Sequence, residues 1–166
     1  MNPEKNPDAE LAYGAGNVNP MKAADPGLVY DSEEVDYVAR DNETLQRLNR
    51  NHSTCSQETN GTVWDLNMPS FAVSTTVPNT IMRVFRRTVT NVGSPVSAYR
   101  AVVTTPPELN IQVEPGVLSF SSLGQKASFS VTVTGTVNKD VVSASLVWDD
   151  GLHFVRSPIA LYSLPN

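Results

Sequence analysis

The sequence predicts a mainly β protein: a two-layer β-sandwich preceded by a short mixed segment of loop and helix. Three observations carry this. From residue 70 onward, runs of β-branched and aromatic residues recur, and several alternate with Ser, Thr or Ala. Such alternation is the mark of strands with one buried face. Pro106-Pro107, Pro115-Gly116, Asp150-Gly151 and Ser157-Pro158 punctuate the runs with turn chemistry. Residues 12–31, by contrast, hold Gly14, Gly16, Gly27, Pro20 and Pro26, a density that forbids a long helix or a central strand.

In chain order, residues 1–10 are polar, with Pro3 and Pro7, and read as a lead-in loop. Residues 12–31 also carry Tyr13, Val18, Met21, Leu28, Val29 and Tyr30, which call for burial against a larger body. Asp25-Pro26-Gly27 predicts a type II turn, with Pro presetting φ and Gly supplying a positive φ. Asp31 with Glu34 three residues on forms a capping-box pattern, and Val35 and Val38 continue at helical spacing. A second helix is expected over 43–50, with Leu45 and Leu48 on one side. Residues 49–63 are rich in Asn, Ser, Thr and Gly and read as an exposed loop. The domain boundary is placed near Trp64, giving an N-terminal segment of 1–63 and a sandwich of 64–166.

Beyond it, strands are expected around Phe71 and Val73, then over 84–92, 97–105, 109–113 and 117–120. Others follow over 128–134, 142–148, 152–155 and 159–162, with Asp150-Gly151 as a hairpin turn. Many short strands in one domain, with turn signals every ten or so residues, are the pattern of an immunoglobulin-like or fibronectin type-III-like sandwich.

The chain has 166 residues with a net charge of −5. An acidic chain with only 17% charged residues is a poor partner for nucleic acid, which needs clustered cations. The one basic cluster, Arg83, Arg86 and Arg87, is expected on the polar face of an exposed strand. No apolar run is long enough for a membrane span, and the residues after Met1 do not read as a signal peptide. Asn42, Asn51 and Asn60 each open an N-x-Ser/Thr acceptor for glycosylation, which points to a secreted ancestry. Cys55 is the single cysteine, so no intrachain disulfide can form.

Nothing in the sequence assembles a catalytic, cofactor or metal site. His52 lies in the polar loop, and His153 is expected as a satisfied strand or edge histidine. No spaced His/Cys set supports zinc. Asp149 and Asp150 are adjacent, so in a strand they point to opposite faces, and turn formation accounts for Asp150. Gly14-Ala-Gly16 lacks the strand, the third Gly and the Lys of a phosphate loop. Cys55 and His52 sit in a loop too irregular to preorganise a nucleophile.

Longer motifs add a resemblance. Tyr13-Gly-Ala-Gly-Asn-Val-Asn-Pro20, Pro26-Gly-Leu-Val-Tyr-Asp31 and Asp36-Tyr-Val38 resemble the end of the protease domain in plant subtilisin-like serine proteases of the cucumisin type. Five further motifs resemble that family's fibronectin type-III-like C-terminal domain. They are Asp65-Leu-Asn-Met-Pro-Ser-Phe71, Arg87-Thr-Val-Thr-Asn-Val-Gly93, Tyr99-Arg-Ala101, Leu118-Ser-Phe120 and Trp148-Asp-Asp-Gly-Leu-His-Phe-Val-Arg-Ser-Pro-Ile159.

The resemblance implies a secreted, extracellular endopeptidase with an Asp, His, Ser triad. The motifs carrying that triad lie upstream of the Tyr-Gly-Ala-Gly segment, so no catalytic residue carries over to any position here. The chain is expected to be inactive alone, with 1–63 the remnant of the catalytic domain and the sandwich supporting that domain's stability and activity. The expected partner is the protease domain or an intact subtilase. A second reading makes the chain a stand-alone module that binds subtilases or other surface proteins. The chain departs from the family pattern at Asn17, where His is usual, and at Met68, where Tyr is usual. A Phe-Leu-Cys segment usual after Asp36-Tyr-Val38 is missing, which leaves Cys55 without the partner the resemblance implies. If the rest of a protease is missing, Tyr13, Val18, Leu28 and Tyr30 should be unusually exposed unless they fold back on the sandwich.

Overall fold

A computed structural model describes residues 9–32, 63–75, 79–137 and 141–163. Two short helices, α1 (Ala9–Tyr13) and α2 (Pro20–Ala23), precede strand β1 (Leu28–Val29) and a 3-10 turn, Val63–Asp65. The remaining strands are β2 (Phe71–Thr75), β3 (Asn79–Asn91), β4 (Ser97–Thr104), β5 (Leu109–Glu114), β6 (Val117–Phe120), β7 (Lys126–Val137), β8 (Val141–Asp149) and β9 (Phe154–Ser163). They form two sheets, β1-β3-β7-β5 and β2-β9-β8-β4-β6. All pairings are antiparallel except β2 with β9, where Phe71 to Thr75 run alongside Ile159 to Ser163.

The expected alternation builds the core. Phe129, Val131 and Val133 of β7 are buried, as are Phe85 and Val89 of β3. Facing them from the other sheet are Leu146 and Trp148, with Tyr99, Ile159 and Leu161. Aromatic rings meet edge to face at the centre, Phe129 on Trp148 at 5.0 Å and Phe71 on Phe85 at 5.2 Å between centroids, the arrangement the ring quadrupole favours.

Several elements run longer than the sequence suggests. β3 begins at Asn79, because Thr136 and Val137 of β7 continue the ladder to that point. The two short strands expected around Ser157-Pro158 are one strand, β9. Pro158 is tolerated there because β2 joins only from Ile159 onward, so that side of β9 is still an edge at the proline. Asp25-Pro26-Gly27 does turn, with Gly27 at φ +79°. However, the Leu28 N–H bonds the Pro26 carbonyl at 3.0 Å, closing a three-residue turn rather than the four-residue type II turn.

The largest correction concerns Arg87. Arg83 and Arg86 are exposed as expected, but Arg87 is only 4% exposed. Its place in β3 puts it on the same inward face as Phe85 and Val89. The guanidinium donates to the carbonyls of Trp64 (2.7 Å), Met68 (2.9 Å), Arg86 (2.8 Å) and Ser70 (3.3 Å). It lies over the rings of Phe71 and Phe85, 4.8 and 5.6 Å from their centroids. Arg87 thus fastens residues 64–70, the crossing from one sheet to the other.

Asn67 in that crossing imitates a strand neighbour. Its amide donates to the carbonyls of Thr88 (2.8 Å) and Asp31 (2.7 Å), and its Oδ1 accepts from the Thr88 N–H (2.8 Å). Asn67→Ala should lower stability by about 2 kcal/mol, since part-buried groups of Thr88 lose their partner. A urea midpoint unchanged from wild type would contradict this.

The two expected helices beyond residue 32, together with Asn42, Asn51, Asn60, Cys55 and His52, lie outside the described residues.

Candidate functional site: a strap clasped by one turn of the sandwich

Residues 10–31 form a strap. It starts against β8 and β9, where α1 packs, and ends at the edge of the opposite sheet. There Leu28 and Val29 pair with Asn91 and Thr90 of β3. Leu28 is 3% exposed, and burying its side chain contributes about 2 kcal/mol. Tyr30 packs against Phe129, 6.4 Å between centroids, and its hydroxyl meets Ser157 Oγ at 2.9 Å. Burial pushes the Tyr30 phenol up, with the Ser157 bond and the Arg87 charge working against it. Asp31 accepts a hydrogen bond from Thr90 Oγ1. Residues 28–30 therefore fold back on the sandwich. Val18 and Met21 do not: they are 89% and 88% exposed.

Two side chains from the segment linking and starting β9 grip the strap. Arg156 donates from Nη2 to Glu10 and from Nη1 to the Gly14 carbonyl at 3.0 Å, and stacks over Tyr13. Glu10 is buried, so removing Arg156 strands a carboxylate away from water. His153 lies just ahead of β9 with its side chain 11% exposed. Its Nδ1 is 2.9 Å from Asp150 Oδ2, and its Nε2 is 3.2 Å from Asp25 Oδ2 on the strap. The Tyr99 hydroxyl stands 3.4 Å from Nδ1.

The turn itself is built from carboxylates. Asp149 Oδ1 accepts from the Gly151 N–H, and Asp150 Oδ1 accepts from those of Leu152 and His153. Asp150 is therefore more than a turn former, because its second oxygen also orients His153. Burial disfavours the Asp150 carboxylate, but bonds from the His153 ring, the two N–H groups and Tyr99 outweigh it and hold its pKa at about 2. Burial first, then the hydrogen bond to Asp150, push the Tyr99 phenol well above its usual range.

Gly27 lets the strap approach. A Cβ there would lie 2.7 Å from His153 Cγ and 2.8 Å from Tyr99 Oη. The Gly27 carbonyl accepts from both Val92 and Gly93 N–H groups, at 2.9 and 3.0 Å. Asn91 shapes that loop: it is fully buried, donates to the Ser94 carbonyl at 2.8 Å and accepts from Gly93 at 3.2 Å. The motif residues Asn91, Gly93, Tyr99, Asp150, His153 and Arg156 are thus the joint between strap and sandwich.

A histidine oriented by a carboxylate is half of a nucleophile-activating pair. Here the other ring nitrogen faces Asp25, and among the described residues no Ser, Thr or Cys side chain bonds to it. Among the described residues no group of three His, Cys, Asp or Glu could hold a metal ion. None of their helices is long and apolar enough to cross a membrane. Beside the clasp runs a cleft of about 610 Å³ whose lining includes Met21, Lys22, Leu152 and Phe154. Met21, Leu152 and Phe154 are all strongly exposed, at 88%, 72% and 59%.

The sequence alone pointed to His153 as satisfied but not to Asp25 as its partner, because no local pattern links positions so distant in the chain. Arg87, however, carried a readable signal in its register with Phe85 and Val89.

Sandwich, strap and joint define a β-sandwich domain built to hold a preceding segment. The chain belongs to the fibronectin type-III domain family, whose model matches residues 65–161. Over nearly its whole length it is also similar to plant subtilisin-like proteases, as its motifs suggest. It is 47% identical to Subtilisin-like protease SBT4.3 of Arabidopsis thaliana, over 99% of this chain and 24% of that protein. The identity is 45% to SBT4.14 (95% and 23%) and 42% to SBT4.6 (93% and 22%), both from the same plant. The chain spans about a quarter of the length of these relatives.

Proposed function

We propose that this chain is the non-catalytic, C-terminal part of a subtilisin-like serine endopeptidase, whose sandwich supports the stability and activity of the protease domain. One observation carries this reading. Similarity to the proteases extends over 99% of the chain, whereas the fibronectin type-III match begins only at residue 65. This supports reading the strap as a protease segment that lies ahead of the sandwich, where a dedicated joint ties it down.

On this reading residues 1–63 are the end of the catalytic domain and 64–166 the sandwich domain, with Leu28–Val29 lending a strand across the division. The exposed Val18, Met21, Leu152 and Phe154 present apolar surface for the protease domain to cover. An extracellular setting with glycosylation at Asn42, Asn51 and Asn60 follows from the same reading. The exposed cleft also supports the second reading, a module that binds an intact subtilase in trans.

The test is to express the 166-residue chain alone and together with a related protease truncated before its matching region. Alone, the chain should hydrolyse no fluorogenic peptide and take no fluorophosphonate label. Together, the two should co-purify and the truncated protease should regain activity. Binding of the intact protease, without rescue of the truncated one, would favour the trans module. Labelling of the isolated chain would overturn both readings.

A further inference from the structure

We propose that protonation of His153 governs how tightly the strap docks on the sandwich: the charged ring ties Asp25 to Asp150, and the neutral ring releases Asp25. Both ring nitrogens face carboxylate oxygens, Nδ1 at 2.9 Å and Nε2 at 3.2 Å. A neutral imidazole carries one N–H and can satisfy only one of them; imidazolium carries two and satisfies both. With a single proton, one nitrogen would turn a lone pair toward a carboxylate.

The two carboxylates are not equivalent. Asp150 is 5% exposed and is already fixed by the Leu152 and His153 N–H groups. Asp25 is 69% exposed and reaches water freely. The remaining proton therefore stays with Asp150, and the strap loses its tie.

Among the described residues the surroundings supply no substitute. The groups facing His153 are Asp150 from the turn, Asp25 from the strap and Tyr99 from β4. Lys22 and Arg156 line the adjoining cleft, but Lys22 lies over the Phe154 ring and Arg156 is engaged with Glu10. The backbones of Gly27 and Gly93 press close to the imidazole, so any movement of the ring is felt by the strap directly.

Electrostatics agree in sign. The Asp150 hydrogen bond, and then that to Asp25, raise the His153 pKa above its ordinary 6.5, against a smaller opposing effect of burial. The clasp's contribution is thus complete below pH 6.5 and is lost as the pH rises through the elevated folded value. Asp150 stays ionised throughout that window, its own pKa being about 2.

The Val92 and Gly93 amides, both bound to the Gly27 carbonyl, report strap opening. Their hydrogen exchange, corrected for intrinsic rate, is measured on the full chain at pH 5.5 and pH 8.5. Protection should fall about fivefold at the higher pH, the scale of a partly exposed ion pair, while the Val131 and Val133 amides change little. In His153→Gln, protection should be low at both pH values. Should that variant not fold, Asp25→Asn changes only an exposed side chain and should abolish the pH response. Equal wild-type protection at both pH values, or an undiminished response in Asp25→Asn, would overturn the proposal.

Discussion

Replacing Arg87 with alanine lowers the stability of the sandwich by about 4 kcal/mol, read as a fall in the urea midpoint with little change in slope. Four carbonyls, of Trp64, Ser70, Met68 and Arg86, accept from this guanidinium. Leaving a buried acceptor unpaired costs about 1–3 kcal/mol, and the space left beside Phe71 and Phe85 adds a cavity cost. Some of the freed carbonyls will recruit water, which holds the total near the upper end for a single substitution. Arg87→Lys should recover only part of the loss, because an ammonium cannot span the fork of positions a planar guanidinium reaches. Arg86→Ala should stay within about 0.5 kcal/mol, as exposed positions usually do. If Arg87→Ala and Arg86→Ala denatured alike, the buried arginine would not be the fastener of the crossing.

Gly27→Ala should detach the strap while leaving the sandwich folded, at a local cost of about 3 kcal/mol. A left-handed backbone conformation costs an L-residue about 1–2 kcal/mol, and Gly27 stands at φ +79°. The added methyl would also meet His153 Cγ, His153 Cβ and Tyr99 Oη, all within 2.8 Å. Overpacking of this kind costs about 1–3 kcal/mol. The least costly relief is for the strap to lift, since it holds the sheet through a strand of two residues. Limited proteolysis should then cut within 14–30 in the variant and not in wild type, with the β7 amides still protected. Gly14→Ala is the control: it has a positive φ of 55° but open space around the missing Cβ, so it carries the backbone cost alone. A Gly27→Ala chain that resists protease as wild type does would refute the close-packing account.

The sandwich was legible because half-buried strands write their geometry into the sequence. Phe129, Val131 and Val133 alternate with Ser and Thr, and each faces the core. Element ends were less legible, since ladders continue wherever a neighbour offers partners, as at Asn79 and through Pro158. At Arg87, charge and register point in opposite directions, and register prevails. Its position between Phe85 and Val89 set its direction, and the carbonyls that make an inward guanidinium tolerable lie in an irregular crossing that no periodicity describes. The clasp was the least visible part. Asp25, Gly27, Tyr99, Asp150 and His153 come from three separate places in the chain, and only the folded topology brings them together. What the sequence did offer was the motif containing Asp150, His153 and Arg156, whose shared task is now evident in the contacts it makes with the strap.

The parallel pairing of β2 with β9 bears on how the domain comes into being. β2 is the first strand after the crossing and β9 the last of the described strands, so Phe71 and Val73 lie beside Ile159 and Leu161 from the far end of the chain. Contacts of such wide sequence separation form slowly, because the intervening loop must close before any bond rewards it. During synthesis β2 leaves the ribosome long before its neighbour exists. Until β9 emerges, its apolar residues remain without their final cover and are exposed to other nascent chains. The same holds for the strap, whose anchors His153 and Arg156 are also made near the end. Synthesis of β9 and the turn before it therefore seals the sandwich and supplies these anchors together, and a chain halted before His153 would lack both.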